Sequence, residues 1–400
     1  MRARRRPLSG RPIVGAAFPI LLALGALDAA GYSMVAPVVP AISRATGVGP
    51  ALIGALVGSF AAGQLVGYPL AAGGVQRRHA AAVLAAALAL MVVGDLGFIV
   101  GSGLPVYVAA RFIQGIGAGG LWMGVVFGVL ERFPESAYRK LTGVLAAYSI
   151  GAVAGPALGA LGGIRAPFAA HLALTVAGAI AVALLWASPA APQFGSERAA
   201  LRTPGFALAS AGIVLVSLCL GAFEGPLALH FGTRLSQAEI GALYVGCAVV
   251  LGASASAGGR FRPVAALATG SLLLSLALPL AAATSTVSIW LVAIGLLGAG
   301  FGAAEAGALG VLLETVGAER IVLAMMVWSQ IWGIGYLVGP LAGGGLAEAL
   351  GPAGIGLVSA IGDLAVLLAF AAVLRARHQP VEAAAAYQAE HLRETAPRRP

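Results

Sequence analysis

Gly151-Ala152-Val153-Ala154-Gly155-Pro156-Ala157-Leu158-Gly159 and Gly335-Tyr336-Leu337-Val338-Gly339-Pro340-Leu341-Ala342-Gly343 spell one pattern, G-x-x-x-G-P-x-x-G, 184 residues apart. Each copy sits inside a long apolar block, so each reads as a helix stripped of side chains on one face. Other fragments return in the same order. Ile53-Gly54-Ala55-Leu56 returns as Ile240-Gly241-Ala242-Leu243, and Gly73-Gly74-x-x-Arg77 as Gly258-Gly259-x-x-Arg262. Gly128-Val129-Leu130-Glu131 returns loosely as Gly310-Val311-Leu312-Leu313-Glu314. In a chain with 58 glycines one match carries no weight, but four in order at offsets of 182 to 187 indicate an internal duplication.

Composition says what kind of unit is duplicated. Soluble domains are roughly 45–50% apolar and about 25% charged. This 400-residue chain is 60% AVILMFWYC and 10% charged, with a mean hydropathy of +0.95. So few charges cannot form the solvated shell of a cytosolic enzyme, and the chain is too apolar for disorder. The apolar residues run in blocks rather than alternating, which excludes a transmembrane β-barrel. Cys219 and Cys247 both fall within apolar blocks and read as small packing residues, with no disulfide framework or metal set.

A spanning helix needs about 20 mostly apolar residues. Charges and turn signals cut the chain into twelve such stretches: 13–40, 50–73, 80–101, 105–130, 141–162, 166–187, 204–227, 237–258, 263–283, 288–312, 321–346 and 353–374. The charge-free run Pro263 to Ala304 is too long for one span, and Thr284-Ser285-Thr286 supplies its break. The first stretch holds Asp28, Pro37 and Pro40 and is not a cleaved signal peptide. With the N-terminus inside, 20 of the 24 basic residues lie on inner segments and 3 on outer loops, leaving Arg111 within a span. That bias places both termini in the cytoplasm. It also explains a net charge of +9 without a nucleic-acid partner.

The expected fold is therefore all-α and integral to the membrane, with twelve transmembrane helices in two pseudo-symmetric bundles of six. A basic cytoplasmic N-terminus (1–12) precedes the first bundle (13–187). A cytoplasmic linker (188–203) leads to the second bundle (204–374) and a cytoplasmic tail (375–400). The two G-x-x-x-G-P-x-x-G segments read as a hinge or as a seal between the bundles, with generic close packing as the alternative.

Several of these segments resemble known signatures. A six-span repeat in parallel orientation resembles the major facilitator superfamily. Leu27-Asp28-Ala29-Ala30-Gly31-Tyr32-Ser33-Met34-Val35-Ala36-Pro37-Val38-Val39-Pro40 resembles the first span of tetracycline/proton antiporters and related twelve-span drug:proton antiporters. Arg111-Phe112-Ile113-Gln114-Gly115-Ile116-Gly117 resembles the superfamily's fourth-span signature R-x-x-Q-G-x-G, and Gly151 to Gly159 its fifth-span antiporter signature. Leu70 to Arg78 resembles the loop signature between spans 2 and 3. Arg77 and Arg78 match its closing basic pair, and Gly73 stands where the Asp is expected. The resemblance implies secondary transport and points to efflux.

An ionisable group within a span costs about 2.5–3.5 kcal/mol on insertion scales and is a functional candidate by default. At 1.5 Å per residue, Asp28 and Asp95 both lie roughly 22 Å from the inner face, and Arg111 about 21 Å. A desolvated carboxyl can carry a proton, whereas one beside a cation stays ionised. Asp28, Asp95 and Arg111 are thus the candidate proton-coupling groups, and an Asp28–Arg111 structural pair is the alternative. In the resembled antiporters the first-span acid and fourth-span Arg line the cavity, and spans 1, 4, 7 and 10 surround it. That makes Glu305 in span 10 a candidate gate or second acid. Glu224 reads as an interfacial charge near the outer end of span 7, and Asp363 and His171 as groups satisfied locally. Candidate cavity residues are Tyr32, Gln114, Trp122, Trp328 and Trp332, with Tyr148, Phe223, Gln330 and Tyr336. Trp328, Trp332 and Tyr336 are spaced as one helical stripe, for which lipid or packing contact is the alternative.

The sequence contains no phosphate loop, metal-ligand spacing or nucleophile elbow. No enzyme activity and no cofactor are expected, and an ion gradient must supply the energy. One charge crossing about 150 mV is worth about 3.5 kcal/mol. The expected protein is a multi-pass monomer of the cell's inner membrane, with protons, a small-molecule substrate and the lipid bilayer as partners. Proton-coupled efflux of amphipathic or drug-like compounds is the first reading. A metabolite or sugar exporter, or a proton symporter, is the second.

Overall fold

The structure, a computed structural model, describes residues 13–77, 80–183, 203–316 and 321–375. The basic segment 1–12, Arg78, the expected linker up to Arg202 and the tail beyond Arg375 lie outside the described residues, as does the side chain of Arg77. Every regular element described is helical. In order they are α1 (Ile13–Ser33), α2 (Val35–Thr46), α3 (Pro50–Arg77), α4 (Ala80–Val100), α5 (Leu104–Arg132), α6 (Ala137–Gly159), α7 (Arg165–Ala183), α8 (Pro204–Ala222), α9 (Ala228–Phe231), α10 (Gln237–Gly258), α11 (Pro263–Ala283), α12 (Val287–Val316), α13 (Ile321–Leu350) and α14 (357–375).

Eleven segments of these helices are long and apolar enough to cross a membrane. The expected eleventh span, α13, is one continuous apolar helix of 30 residues.

Local chemistry sets the helix ends. Ser236 and Glu239 form a reciprocal capping box that starts α10 at the expected residue. Thr203 caps α8 by accepting from the Phe206 N–H at 3.2 Å. The break at Thr284-Ser285-Thr286 is present, and the indole of the fully buried Trp290 ties it down by donating to the Ala281 and Thr284 carbonyls, both at 3.0 Å.

Proline splits the first span of each half. Pro37 has no N–H, and its ring crowds the carbonyl four residues back, at Ser33, where α1 ends. Pro226 does the same to Ala222, where α8 gives way to a π-helical turn, Phe223–Leu227.

The packing repeats between halves. α1 packs on α6, α3 on α5 and α4 on α5; in the second half α8 packs on α13, α10 on α12 and α11 on α12. The main pairs that cross between halves are α3 with α13 and α6 with α10, and α2 also packs on α10 and α9. The outward surface is apolar in keeping with a lipid face: Leu364, Leu367 and Leu368 of α14 are exposed, as are Leu272 and Leu276 of α11.

The repeated glycines correct the reading of their motif as a seal. Gly151, Gly155 and Gly159 face α1 and α2 of their own half, where added Cβ atoms would strike the backbone of Ala26, Ala30 and Met34. Gly335, Gly339 and Gly343 face α8 and its π turn in the same way. The seam between halves uses the opposite face. The Pro340 carbonyl meets Gly54, and the Pro156 carbonyl lies 2.9 Å from where a Cβ on Gly241 would sit. Thus the I-G-A-L repeat of one half docks on the G-P repeat of the other, twice. Two hydrogen-bonded contacts flank these docks: Gln237 Nε2 donates to the Gly159 carbonyl at 2.6 Å, and the Ala51 N–H donates to Glu348 at 3.1 Å.

Overpacking a close contact costs about 1–3 kcal/mol. Gly54→Val and Gly241→Val are each expected to lower the thermal unfolding temperature in detergent micelles. Gly246→Val is expected to be neutral, because no atom lies within 4 Å of its added Cβ. Equal stability for all three variants would show that the docks are not tightly packed.

Candidate functional site

The broken first span creates the site. The end of α1 leaves carbonyls without helical partners, and a cation there is favoured by the helix dipole. Arg111 of α5 is that cation. Its guanidinium donates to the Gly31 carbonyl at 3.0 Å and to the Tyr32 carbonyl at 2.7 Å, and lies 4.1 Å above the centre of the Phe60 ring. It is fully buried. Its hydrogen bonds go to backbone and amide oxygens, not to Asp28, so the alternative of an Asp28–Arg111 pair is not what the structure shows.

Arg111 also donates to Gln114 Oε1 at 3.2 Å, and Gln114 Nε2 donates to Asp95 at 2.6 Å. His171 Nδ1 lies 2.9 Å from the other Asp95 oxygen. His171 is thus hydrogen-bonded within its own bundle, and its partner is an acid on α4, across the helix interface. Asp95 is locked between two side chains, and His171 Nε2 has no hydrogen-bond partner.

On the other side of Arg111 stand Tyr336 and Glu224. Tyr336 donates its hydroxyl hydrogen to Glu224, and its ring meets, at 6.5 Å, the Phe60 ring that lies under the guanidinium. Glu224 sits in the π turn and is buried. The expectation that it is an interfacial charge is corrected. Residue spacing gave its depth but not its direction, and the π turn aims it into the seam. Tyr244 fixes that turn by donating to the Phe223 carbonyl while stacking on the Phe223 ring at 4.1 Å. One chain of polar groups thus runs from His171 through Asp95 and Gln114 to Arg111 and, past the Phe60 ring, from Tyr336 to Glu224, from the first half into the second.

Asp28 stands apart from this chain. It is buried and its Oδ1 has no hydrogen-bond partner. Tyr32, Tyr68 and Tyr148 are the side chains within its electrostatic reach. Tyr32 anchors an aromatic cluster drawn from both halves. It stacks on Tyr148 at 5.9 Å and meets the edges of Trp332 and Tyr336 at 6.2 and 6.1 Å. Trp332 stacks on Tyr336 at 4.8 Å, and Trp122 meets Tyr148 at 5.6 Å. The Trp122 indole crosses the seam to Ser329 at 3.2 Å. Half-buried Glu305 acts electrostatically on Tyr32 and Tyr148, so it borders the same space.

Trp328 is not brought into the cluster. Its indole turns to the Ala209 carbonyl of α8 at 3.4 Å, within its own half. Asp363 accepts from Ser275 at 2.6 Å, away from the cluster. Among the described residues no group of His, Cys, Asp and Glu could hold a metal ion.

A sequence model described as Major Facilitator Superfamily matches residues 21–261, more than half of the chain. Two solved structures share the fold. They are crystal structures of a bacterial homologue of the human lysosomal transporter Spinster, inward-facing, one unoccupied and one occupied. The first is 14% identical with a TM-score of 0.71, over 90% of this chain and 96% of its own. The second is 13% identical with the same TM-score, over 91% and 96%. No curated protein matches the chain in sequence. The duplicated helical halves, the span broken beneath Arg111 and the match over residues 21–261 lead to one conclusion: this multi-pass membrane protein belongs to the major facilitator superfamily of transporters.

Proposed function

We propose that the protein exports small amphipathic compounds across the cell's inner membrane in exchange for protons, as a monomer with both termini in the cytoplasm. The observation that carries this reading is Asp28, an acid buried without a hydrogen-bond partner for Oδ1 beside aromatic rings contributed by both halves. Desolvation favours the neutral form of a carboxyl. A proton and a cationic or polar group of a substrate then compete for one acid, and that competition couples their movements.

In this reading residues 13–187 and 204–374 swing as two bodies about the aromatic cluster. The docks of Gly54 on Pro340 and Gly241 on Pro156 close the outer end. Trp122, Tyr148 and Trp332 offer apolar faces to the substrate, and Glu305 stands on its route from the cytoplasmic side. Asp95 and Gln114 hold Arg111 against the α1 carbonyls, and so keep the cation away from Asp28. Gly73 replaces the expected Asp of the loop after span 2, so Arg77 and Arg78 work without that acid.

Inside-out vesicles with a pH-sensitive dye test the reading. Adding a transported lipophilic cation is expected to release protons from the vesicle interior as substrate enters. Protons moving in the same direction as the substrate would favour the symporter reading. No proton movement with any transported compound would end both.

A further inference from the structure

Glu224 is buried and lies outside every role given above, yet it is the C-terminal end of the polar chain that crosses the seam. We propose that Glu224 is a second proton-binding site, carried by the C-terminal half, and that its charge latches the seam between the halves through Tyr336 and Arg111.

The geometry for a latch is complete. Arg111 is held to the first half by the Gly31 and Tyr32 carbonyls. Glu224 is held to the second half by a π turn that Pro226 imposes and Tyr244 fastens. Tyr336 stands between them, donating to Glu224 while its ring meets Phe60 and Tyr32, the two residues that pack on and accept from Arg111. The remaining seam contacts described above are neutral, or involve an acid on an exposed backbone amide, as for Glu348 on Ala51. Only this one sets a buried acid toward a buried base across the seam among the described residues.

The surroundings of Glu224 leave these groups in control. Tyr336 faces it from α13, Arg111 from α5, Tyr32 from α1, and Tyr244 and Cys247 from α10. α3 meets the turn with Val57. α11 and the turn at Pro352–Gly356 carry no titratable side chain. Cys219 of α8 is buried one turn away, Arg44 of α2 is exposed, and His230 of α9 is turned to the Thr284 carbonyl.

The chemistry is a single proton transfer. A proton from water forms one O–H bond on the carboxylate, and Tyr336 keeps its own hydrogen. The carboxylic acid can still accept from Tyr336 through its carbonyl oxygen, but that bond is no longer charge-assisted, and Arg111 loses the counter-charge across the seam. The halves are freed to part. The site extends the proton-coupled reading given above, but its test needs no substrate.

A cysteine at Ala160, whose methyl lies against Gly241, reports on the seam. In lipid nanodiscs, maleimide labelling of Ala160→Cys, divided at each pH by that of the exposed Leu161→Cys to remove the thiol's own titration, is expected to be slow at mildly alkaline pH and faster at acidic pH. The parent chain, with Cys219 and Cys247 buried, is the blank. Adding Glu224→Gln is expected to raise the alkaline rate about tenfold, the factor set by 1.4 kcal/mol, and to remove the pH dependence. Tyr336→Phe, which deletes only a hydroxyl, is expected to shift labelling the same way, and Glu224→Asp to restore the dependence. Slow, pH-dependent labelling in both Glu224→Gln and Tyr336→Phe would overturn the latch. Failure of all transport in the unmodified protein would remove the exporter reading and leave this result standing.

Discussion

Asp28→Asn is expected to collapse proton-driven accumulation of substrate and to weaken binding of cationic substrates, while substrate-for-substrate exchange of uncharged compounds stays in place. The change keeps the size and shape of the side chain and removes its ability to carry a proton. One charge moved through 100 mV is worth about 2.3 kcal/mol. At about 1.4 kcal/mol per factor of ten, losing that charge lowers the attainable concentration ratio about 50-fold. Fluorescent substrate efflux from energised cells and counterflow in proteoliposomes measure the two sides separately. An Asn variant that still accumulates substrate like the unmodified protein would assign coupling to another group. A variant dead in both assays would mean that Asp28 holds the structure together rather than coupling it.

Arg111→Met is expected to have the largest effect on stability. Methionine fills much of the space but supplies no donor. The Gly31 and Tyr32 carbonyls lose their partners at the break in the first span, Gln114 loses one of its two, and Glu224 is left buried without a counter-charge. Removing one side of a buried charged contact costs about 3–5 kcal/mol. Thermal unfolding in detergent should show it as a large fall in midpoint and in recovered monodisperse protein. Arg111→Lys should fall between, because one ammonium cannot span two carbonyls and an amide as the planar fork does. Unchanged stability in the Met variant would mean that the carbonyls are capped another way.

The sequence was most informative where the physics is local. Spans 237–258 and 263–283 match their helices end to end, because a capping box and a polar break fix them within a few residues. The duplication was visible because each half needs small residues at the same contacts. What the spacing could not show was direction. It gave the depth of Glu224, but a π turn rotates that residue into the seam. It put Trp328 on one stripe with Tyr336, yet eight residues of a 3.6-residue helix drift by about 80°: Trp328 turns to α8, while Tyr336 also reaches Tyr32 and Phe60 of the first half. It paired Arg111 with acids at the same depth, whereas its partners are backbone oxygens, which no side-chain pattern displays. The motif glycines were legible as close-packing sites. Which neighbour they pack on depends on the face, and the face that seals the halves belongs to the prolines' carbonyls.

That the two halves swing as bodies is tested most directly by distances between spin labels in lipid nanodiscs. Leu52 and Leu350 are exposed positions on the two sides of the seam between the halves, and Leu161 is an exposed position in the same half as Leu52. Across a change of pH or on adding substrate, the Leu52–Leu350 distance should gain a population longer by roughly 4 Å, the displacement that a rotation of about 15° gives at about 15 Å from the pivot. The Leu52–Leu161 distance should not change. A Leu52–Leu350 distance that stays single and fixed under every condition, or a Leu52–Leu161 distance that moves with it, would contradict the account.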